Sequence, residues 1–252
     1  MPDWPIYLIN LDTDVARLDQ TGAELNDAGI AWRRIPAVNG RALSAAELAQ
    51  HYDAEAAANH ARYPLVPPEI GCYLSHRAAW QALIDSNAEG AVVLEDDLRV
   101  VGDLSAVINA LKADKGDWDI AKLFSFRPIR FLGSPRALTG SARIGTPHRV
   151  PSTTLGYAIT LAGARKALAA SDRFFRPIDE DHKFFWESGL RIDAVDPSPL
   201  AVGTQDTAAG TVSEVRLRAN AAEPRTTLQQ TWINMRYQLR YRIGLWRARR
   251  GW

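Results

Sequence analysis

The hydrophobic and polar positions of this chain follow two periods, one typical of buried strands and one typical of helices. Strands are predicted for the short apolar runs at 6–9, 30–35, 91–94, 118–124, 155–160 and 190–195. Helical spacing or helix-start residues are found at 14–29, 44–62, 67–82, 161–170 and 177–189. The opening order strand, helix, strand favours βαβ units and a parallel sheet. Residues 125–150 lack a clear period and predict a loop or a weak hairpin.

One predicted strand runs directly into three carboxylates, because Glu95, Asp96 and Asp97 follow the apolar run 91–94 without a turn residue. A continuous apolar run indicates a strand buried on both faces, and open α/β sheets bind ligands at the carboxyl ends of their strands. Since side chains alternate along a strand, we expect Glu95 and Asp97 on one side and Asp96 on the other. Converging carboxylates repel each other unless a cation such as Mg²⁺ or Mn²⁺ lies between them. This stretch alone fits either a metal site or an acidic, solvated turn.

Composition narrows the class of protein. The chain has 252 residues, of which 46% are hydrophobic, enough for one or two domains with a core. No run approaches the roughly 18 apolar residues of a membrane span, and the amino terminus lacks the basic and apolar regions of a secretory signal. Cys72 is the only cysteine, which excludes an intramolecular disulfide and a cysteine-based zinc cluster. We therefore expect a cytoplasmic protein.

The formal net charge of +1 is unevenly distributed along the chain. The last acid is Glu223, and seven arginines follow it, at 225, 236, 240, 242, 247, 249 and 250. Without them the chain has 23 basic and 29 acidic residues, a net charge of −6, which argues against a nucleic-acid-binding surface on the body. We divide the chain into a body, residues 1–223, and a basic amphipathic tail, residues 224–252.

The tail has a helical pattern of apolar residues with arginines on both edges. The apolar positions, here named the stripe, are Trp232, Met235, Leu239, Ile243 and Trp246. Such a composition is typical of a helix that lies peripherally in an anionic membrane interface. A helix that docks its apolar face on the body fits the pattern equally well. An RNA-binding arm has only the charge in its favour.

Six motifs in order resemble glycosyltransferase family 25, of the lipooligosaccharide galactosyltransferase type and related to the collagen galactosyltransferases. They lie at 6–12 with Arg17, and at 69–80, 93–97, 118–123, 156–166 and 177–187. The resemblance implies a GT-A-like, Rossmann-like α/β fold with a mixed, mostly parallel sheet flanked by helices. It implies a UDP-sugar donor, most often UDP-galactose, and inverting transfer to a glycan or glycolipid hydroxyl, as in lipopolysaccharide biosynthesis.

The resemblance also assigns roles to the residues that would bind the donor. Glu95 and Asp97 match the acidic nucleotide-sugar motif of GT-A enzymes, with Asp97 on the metal and Glu95 on the metal or the ribose. This chain has Glu-Asp-Asp where many such enzymes have Asp-x-Asp, so the division of roles, including that of Asp96, stays open. Asn10 and Arg17 are expected to hold the nucleotide, because the end of the first strand lies beside the same crevice.

Inversion requires a base that takes the proton of the acceptor hydroxyl. Asp179 and Asp181 are the candidates, although acids at a helix start also interact favourably with the helix dipole. Burial among neighbouring aromatic residues would raise the pKa of such an acid. His182 is a candidate for a third metal ligand.

His76 and Arg77 either contact the donor or brace the sheet. Ser75 and His76 do not form a nucleophile pair, because adjacent residues on a helix point about 100° apart, and this disfavours a hydrolase. An alternative function is a non-catalytic GT-A-like module that binds a glycan or a protein partner.

Overall fold

The computed structural model describes residues 3–203 and 227–250. Its strands are β1 (Ile6–Asn10), β2 (Arg33–Pro36), β3 (Gly90–Glu95), β4 (Leu98–Val100), β5 (Ile120–Lys122), β6 (Arg136–Thr139), β7 (Ala142–Gly145), β8 (Gly156–Thr160), β9 (Ile192–Asp196) and β10 (Leu200–Val202). Eight of them form one sheet in the order β2-β1-β3-β8-β5-β9-β7-β6, and β4 pairs with β10. Within the large sheet only β7 and β8 run against the other six strands. The predicted mixed, mostly parallel sheet is therefore confirmed.

Helices flank this sheet, as the GT-A-like fold requires. They are α1 (Val15–Asp27), α2 (Ala45–His51), α3 (Ala54–His60), α4 (Pro67–Ser86), α5 (Leu104–Ala113), α6 (Leu161–Ala170), α7 (Ile178–Lys183), α8 (Phe185–Ser188) and α9 (Thr227–Arg250). A 3₁₀ turn covers Gly40–Ala42. Within the described ranges, no helix combines the length and the apolar character needed to cross a membrane.

Two predicted helices are each divided in two. The helix expected over 44–62 is interrupted at Tyr52, which pairs with Phe174 in an isolated bridge. Asp53 then caps α3, because its side chain accepts a hydrogen bond from the backbone N–H of Ala56 at 2.9 Å. The helix expected over 177–189 is interrupted at Phe184, between α7 and α8. The stretch 125–150 contains the hairpin β6–β7, which extends the sheet through β9.

The core lies on both faces of the sheet. Along β3, Val92 and Leu94 join the cluster that includes α5, while Ala91 and Val93 join the cluster that includes α4 and α6. These four side chains are fully buried, and each larger one contributes roughly 1.5–3 kcal/mol. The predicted burial of this strand on both faces is confirmed.

Close backbone contacts hold α4 against the segment after β2. A Cβ atom on Gly40 would lie 1.8 Å from the carbonyl oxygen of Pro67, and one on Gly71 would lie 2.4 Å from that of Val38. Any side chain at these glycines would push the helix away from the sheet. The backbone N–H of Val38 also donates to the hydroxyl of Ser75 at 2.8 Å. These contacts position the helix that contains His76.

The topology brings several polar residues to one edge of the sheet. The carboxyl ends of β1, β3 and β5 lie at this edge, and they end at Asn10, Glu95 and Lys122. Because β8 runs in the opposite direction between β3 and β5, its first residue, Gly156, lies there too, two positions after Thr154. The expected crevice therefore has residues from four strands at its base.

Candidate active site

The three acids separate at the end of β3. Glu95 is the last residue of the strand, and Asp96 and Asp97 form the turn that follows. Asp96 contacts β1 and α1, because it accepts a hydrogen bond from Nδ2 of Asn10 at 2.7 Å and lies 2.5 Å from Nη2 of Arg17. Glu95 contacts α4 and the segment before β8 instead. This separation agrees with the expectation that Asp96 points away from Glu95.

Asp97 is the acid with unmet binding capacity. Its Oδ1 atom is buried and has no hydrogen-bond partner among the residues that the structure describes. Burial and the negative charges of Glu95 and Asp96 raise the pKa of Asp97 to about 6, although Arg17 opposes the shift from 3.6 Å. A divalent cation bound here would satisfy the free oxygen and offset the repulsion between the acids. The chemistry of Asp97 and Glu95 therefore fits a hard metal ion.

Glu95 is held in its ionised form by two donors. Nε2 of His76 lies 3.1 Å from its Oε1 atom, and the hydroxyl of Thr154 donates to the same oxygen. Burial raises the pKa of Glu95, but the hydrogen bonds from His76 and Thr154 and the nearby positive charge outweigh it and keep the pKa below its ordinary value. Glu95 is therefore a carboxylate at neutral pH.

His76 is fully buried and both of its ring nitrogens have partners. Its Nδ1 atom lies 2.9 Å from the hydroxyl of Tyr157, which also accepts a hydrogen bond from Nε1 of Trp80 at 2.8 Å. The Tyr157 hydroxyl therefore has its own proton free to donate to Nδ1, and this assigns the proton of His76 to Nε2, facing Glu95. The hydrogen bonds that link Trp80, Tyr157 and His76 therefore orient the Glu95 carboxylate. Direct contact of His76 with the donor stays a prediction.

A second group of potential metal ligands includes Glu95. One ligand atom each of Cys72, His76 and Glu95 lie within 4.8 Å of one another. Burial and the negative charges of Glu95, Asp179 and Asp97 raise the pKa of the Cys72 thiol well above its usual value. A protonated thiol is not a ligand, and sulfur does not suit Mg²⁺ or Mn²⁺. We therefore interpret this group as a support for Glu95.

Lys122 and His182 form a buried pair at the end of β5. Nζ of Lys122 lies 2.6 Å from Nδ1 of His182 and donates to the carbonyl oxygen of Thr153 at 2.7 Å. Burial lowers the pKa of Lys122 to about 7, while Asp179 and Glu95 favour its charged form. Burial and Lys122 also lower the pKa of His182 well below its ordinary value. The neutral imidazole therefore accepts a hydrogen bond from the lysine.

This pairing bears on the metal ligands expected from the sequence. In the described part of the chain, His182 does not form a ligand group with Glu95 and Asp97. The ammonium of Lys122 lies beside it and would repel a cation. His182 as a third metal ligand stays a prediction, as does the pair Glu95 and Asp97.

The two candidate bases have different surroundings. Asp181 accepts hydrogen bonds from the hydroxyl of Tyr73 and from Nε of Arg176, both at 2.7 Å. Burial raises the pKa of Asp181, against the positive charge of Arg176. The carboxylate of Asp179 is half-buried, and within the described ranges it has no hydrogen-bond partner. Of the two carboxylates, that of Asp179 therefore has fewer contacts with neighbouring side chains.

The remaining candidates take structural positions. The amide of Asn10 is buried and donates to Asp96 and to the carbonyl oxygen of Asp14. Arg77 donates to the hydroxyl of Ser171 at 2.8 Å and so joins α4 to the end of α6. Arg17 keeps partial exposure beside the acids. The contacts of Asn10 and Arg77 therefore brace neighbouring parts of the fold. Direct contacts of Asn10, Arg17 and Arg77 with the donor stay predictions.

Sequence reasoning assigned no role to Lys122, Tyr157 or Thr154, which complete the site. Lys122 was detectable in principle, because it is the only charged residue in the apolar run from Ile120 to Phe124. A lysine inside a buried strand requires a partner. Nothing in the local pattern distinguishes Tyr157 and Thr154 from ordinary strand residues.

The chain matches a known protein family over most of its length. The family described as "Glycosyltransferase family 25 (LPS biosynthesis protein)" matches residues 3–181, a range that includes β1, α4 and the acids after β3. The chain belongs to glycosyltransferase family 25. The resemblance found in the sequence is therefore confirmed, and with it the GT-A-like class of this family 25 chain.

Curated relatives of the family 25 chain are 28–30% identical to it over the aligned part. Procollagen galactosyltransferase 2 of Mus musculus is 30% identical over 192 residues, which cover 69% of this chain and 29% of the relative. A glycosyltransferase 25 family member of Aedes aegypti is 30% identical over 176 residues, 65% of this chain and 27% of the relative. The probable inactive glycosyltransferase 25 family member 3 of Bos taurus is 28% identical over 193 residues, 69% and 30%. The alignments thus span less than a third of these relatives.

Proposed function

We propose that this chain is a metal-dependent, inverting hexosyltransferase that acts in the cytoplasm. It moves galactose from UDP-galactose to a hydroxyl of a lipooligosaccharide or other glycan acceptor. The observation that carries the proposal is the Oδ1 atom of Asp97, which is buried and has no partner among the described residues, together with the negative charge of Glu95, which raises the pKa of Asp97. The names of the galactosyltransferase relatives support the sugar, and the lipopolysaccharide description of the family supports the acceptor. A single cysteine suits a reducing compartment.

Asp97 and Glu95 would hold the metal, with Mn²⁺ or Mg²⁺ as the cation that suits oxygen ligands. When bound, such an ion neutralises the charge that develops on the leaving diphosphate. His76 and Thr154 keep Glu95 ionised and oriented, and Asn10 and Arg17 fix Asp96 beside it. These contacts preorganise the acids before the donor binds.

Asp179 is the proposed base. As the acceptor oxygen bonds to the anomeric carbon, the bond from that carbon to the diphosphate oxygen breaks, and the hydroxyl proton moves to the Asp179 carboxylate. Lys122 supports this role, because Asp179 attracts its ammonium and so opposes the lowering of the lysine pKa by burial. Asp181 is less suited to the role, because Tyr73 and Arg176 already donate to it.

A panel of UDP-sugars tests the proposal. The purified chain is incubated with UDP-galactose, UDP-glucose and UDP-N-acetylglucosamine, each with Mn²⁺ and with EDTA, and UDP release and melting temperature are measured. We expect release and stabilisation with UDP-galactose and Mn²⁺ only; a donor at 100 times its Kd stabilises the folded state by about 2.7 kcal/mol.

The same panel separates the enzyme from a non-catalytic module. One relative is named as probably inactive, so binding alone does not establish catalysis. Stabilisation by a UDP-sugar without release of UDP, in the presence of a glycan acceptor, would indicate the module. The absence of both stabilisation and release with every donor would contradict the proposed function.

A further inference from the structure

Helix α9 docks on the body through one face. The ring of Tyr237 is buried, with its centroid 5.4 Å from that of Phe184, and the Tyr241 centroid lies 5.7 Å from that of Trp186. A Cβ atom on Gly244 would lie 2.5 Å from the Trp186 ring, so the absence of a side chain there permits the close approach. Tyr237, Tyr241 and Gly244 thus join α9 to the segment that follows α7.

The stripe lies on the other side of the same helix. At about 100° per residue, Trp232 is about 180° from Tyr241. The stripe residues are between 40% and 59% exposed. The helix therefore docks on the body through Tyr237, Tyr241 and Gly244. The stripe stays largely exposed and borders α3 of the body through Leu239 and Ile243. A helix with apolar residues on two opposite faces leaves one of them available to a second partner.

The charge around the stripe is of one sign. Residues 227–250 contain six arginines and no acid. Arg240 pairs with Glu187 at 3.0 Å and Arg236 donates to the carbonyl oxygen of Asn59 at 2.7 Å, so these two help to fix the helix on the body. Arg242 and Arg247 are exposed on the two edges of the stripe. The surface therefore combines an apolar centre with a basic border.

The cavity beside the stripe extends the apolar surface. It has a volume of about 300 Å³ between α3 and α9, and its lining includes Ala58, Ile233, Leu239 and Ile243. Arg236 and Arg240 lie at the same cavity. The cavity could therefore accommodate apolar groups of a binding partner beside the positive charges of these two arginines.

We propose that the stripe lies in the surface of an anionic lipid bilayer. Its two tryptophans, Trp232 and Trp246, have the amphipathic rings that favour the headgroup region, and the bordering arginines complement anionic headgroups. A second copy of this chain is a poorer partner, because an isologous contact would bring two arginine-rich borders together. The basic border of the stripe therefore favours anionic lipid as its partner. This inference goes beyond the proposed function, since it requires neither donor nor metal.

Vesicle co-sedimentation of the full chain tests the inference. The unmodified chain is compared with the variant Met235→Ser/Leu239→Ser/Ile243→Ser. Both are mixed with vesicles of phosphatidylcholine alone and with vesicles in which about 30% of the lipid is anionic phosphatidylglycerol. We expect binding of the unmodified chain to the anionic vesicles and a decrease of at least about tenfold in the variant, because three apolar side chains no longer leave water on binding. Truncation is avoided, since it would uncover Phe184 and Trp186.

Matched controls separate the stripe from general surface effects. Val101→Ser/Val202→Ser removes exposed apolar groups elsewhere and should bind vesicles like the unmodified chain. Arg242→Gln/Arg247→Gln should lower binding to anionic vesicles by roughly 30-fold, because each of the two arginines near the surface contributes about 1 kcal/mol. Unchanged melting temperatures establish that the variants remain folded.

Two outcomes would overturn the inference. One is equal binding of the unmodified chain and the stripe variant to anionic vesicles. The other is a dimer of the unmodified chain in light scattering that the stripe substitutions dissociate, which would assign the stripe to a second copy. Neither depends on transfer activity, so failure of this inference and failure of the proposed function are distinguishable.

Discussion

Nζ of Lys122 lies 2.6 Å from Nδ1 of His182, and both side chains are buried between the end of β5 and α7. The ammonium is also attracted by Glu95 and Asp179. It therefore links the proposed metal-binding acid to the proposed base.

Replacement of this lysine should abolish transfer without unfolding the chain. In Lys122→Met the side chain keeps a similar volume, but Glu95 and Asp179 lose a neighbouring positive charge. We expect transfer to fall at least about 100-fold, measured as galactose transferred per enzyme under saturating donor. Lys115→Met, at an exposed position, should retain full activity. Normal transfer by Lys122→Met would remove Lys122 from the site.

The lowered pKa of Lys122 predicts how the stability of the unmodified chain, relative to Lys122→Met, depends on pH. The pKa of Lys122 is about 7 in the folded state and 10.5 as its ordinary value, so between these values the unfolded chain binds more protons. The contribution of Lys122 to stability therefore rises with pH across this window. In urea unfolding, the stability of Lys122→Met relative to the unmodified chain should be greatest at pH 6 and should decrease by pH 9. A difference independent of pH would contradict the lowered pKa.

Loss of Asp97 should remove both metal binding and transfer. In Asp97→Ala the buried oxygen without a partner is absent, and the repulsion among the acids is relieved. We expect no UDP-galactose-dependent transfer, no additional thermal shift from Mn²⁺, and a melting temperature no lower than that of the unmodified chain. Asp27→Ala, at an exposed position, is the control. Full activity of Asp97→Ala under metal-limited conditions would refute the metal assignment.

The two acids of α7 should respond differently to the same change. Asp179→Asn removes the proposed base and should lower kcat about 100-fold to 10,000-fold, while the donor still raises the melting temperature. Asp181→Asn leaves one acceptor oxygen for the two donors, Tyr73 and Arg176, and the loss of at least one hydrogen bond should destabilise the fold by about 1–3 kcal/mol. A large loss of kcat in Asp181→Asn, with normal activity in Asp179→Asn, would exchange their roles.

Local patterns predicted much of the fold. The apolar run 91–94 required a strand buried on both faces, Pro67 marked the start of α4, and Thr160 caps α6 through a hydrogen bond to the N–H of Gly163 at 3.0 Å. The acids at the end of β3 were recognisable because strand ends and ligand sites coincide in open sheets. The division of the chain into residues 1–223 and 224–252 stays a prediction.

The partners of the site residues depend on contacts between distant parts of the chain. His76 meets Tyr157 and Glu95 only because α4 packs across the sheet and β8 runs between β3 and β5. Lys122 and His182 are 60 positions apart in the sequence. No periodicity within a single element contains this information.

The tail also shows how far the sequence alone predicts the structure. The helical period by itself determined which residues share the stripe, since 3.6 residues per turn places Trp232, Leu239 and Ile243 on one face. Which apolar face packs on the body was decided by tertiary structure, because Phe184 and Trp186 present rings that fit Tyr237, Tyr241 and Gly244. The physical reason is that burial requires a complementary surface, and the shape of that surface comes from other elements of the fold.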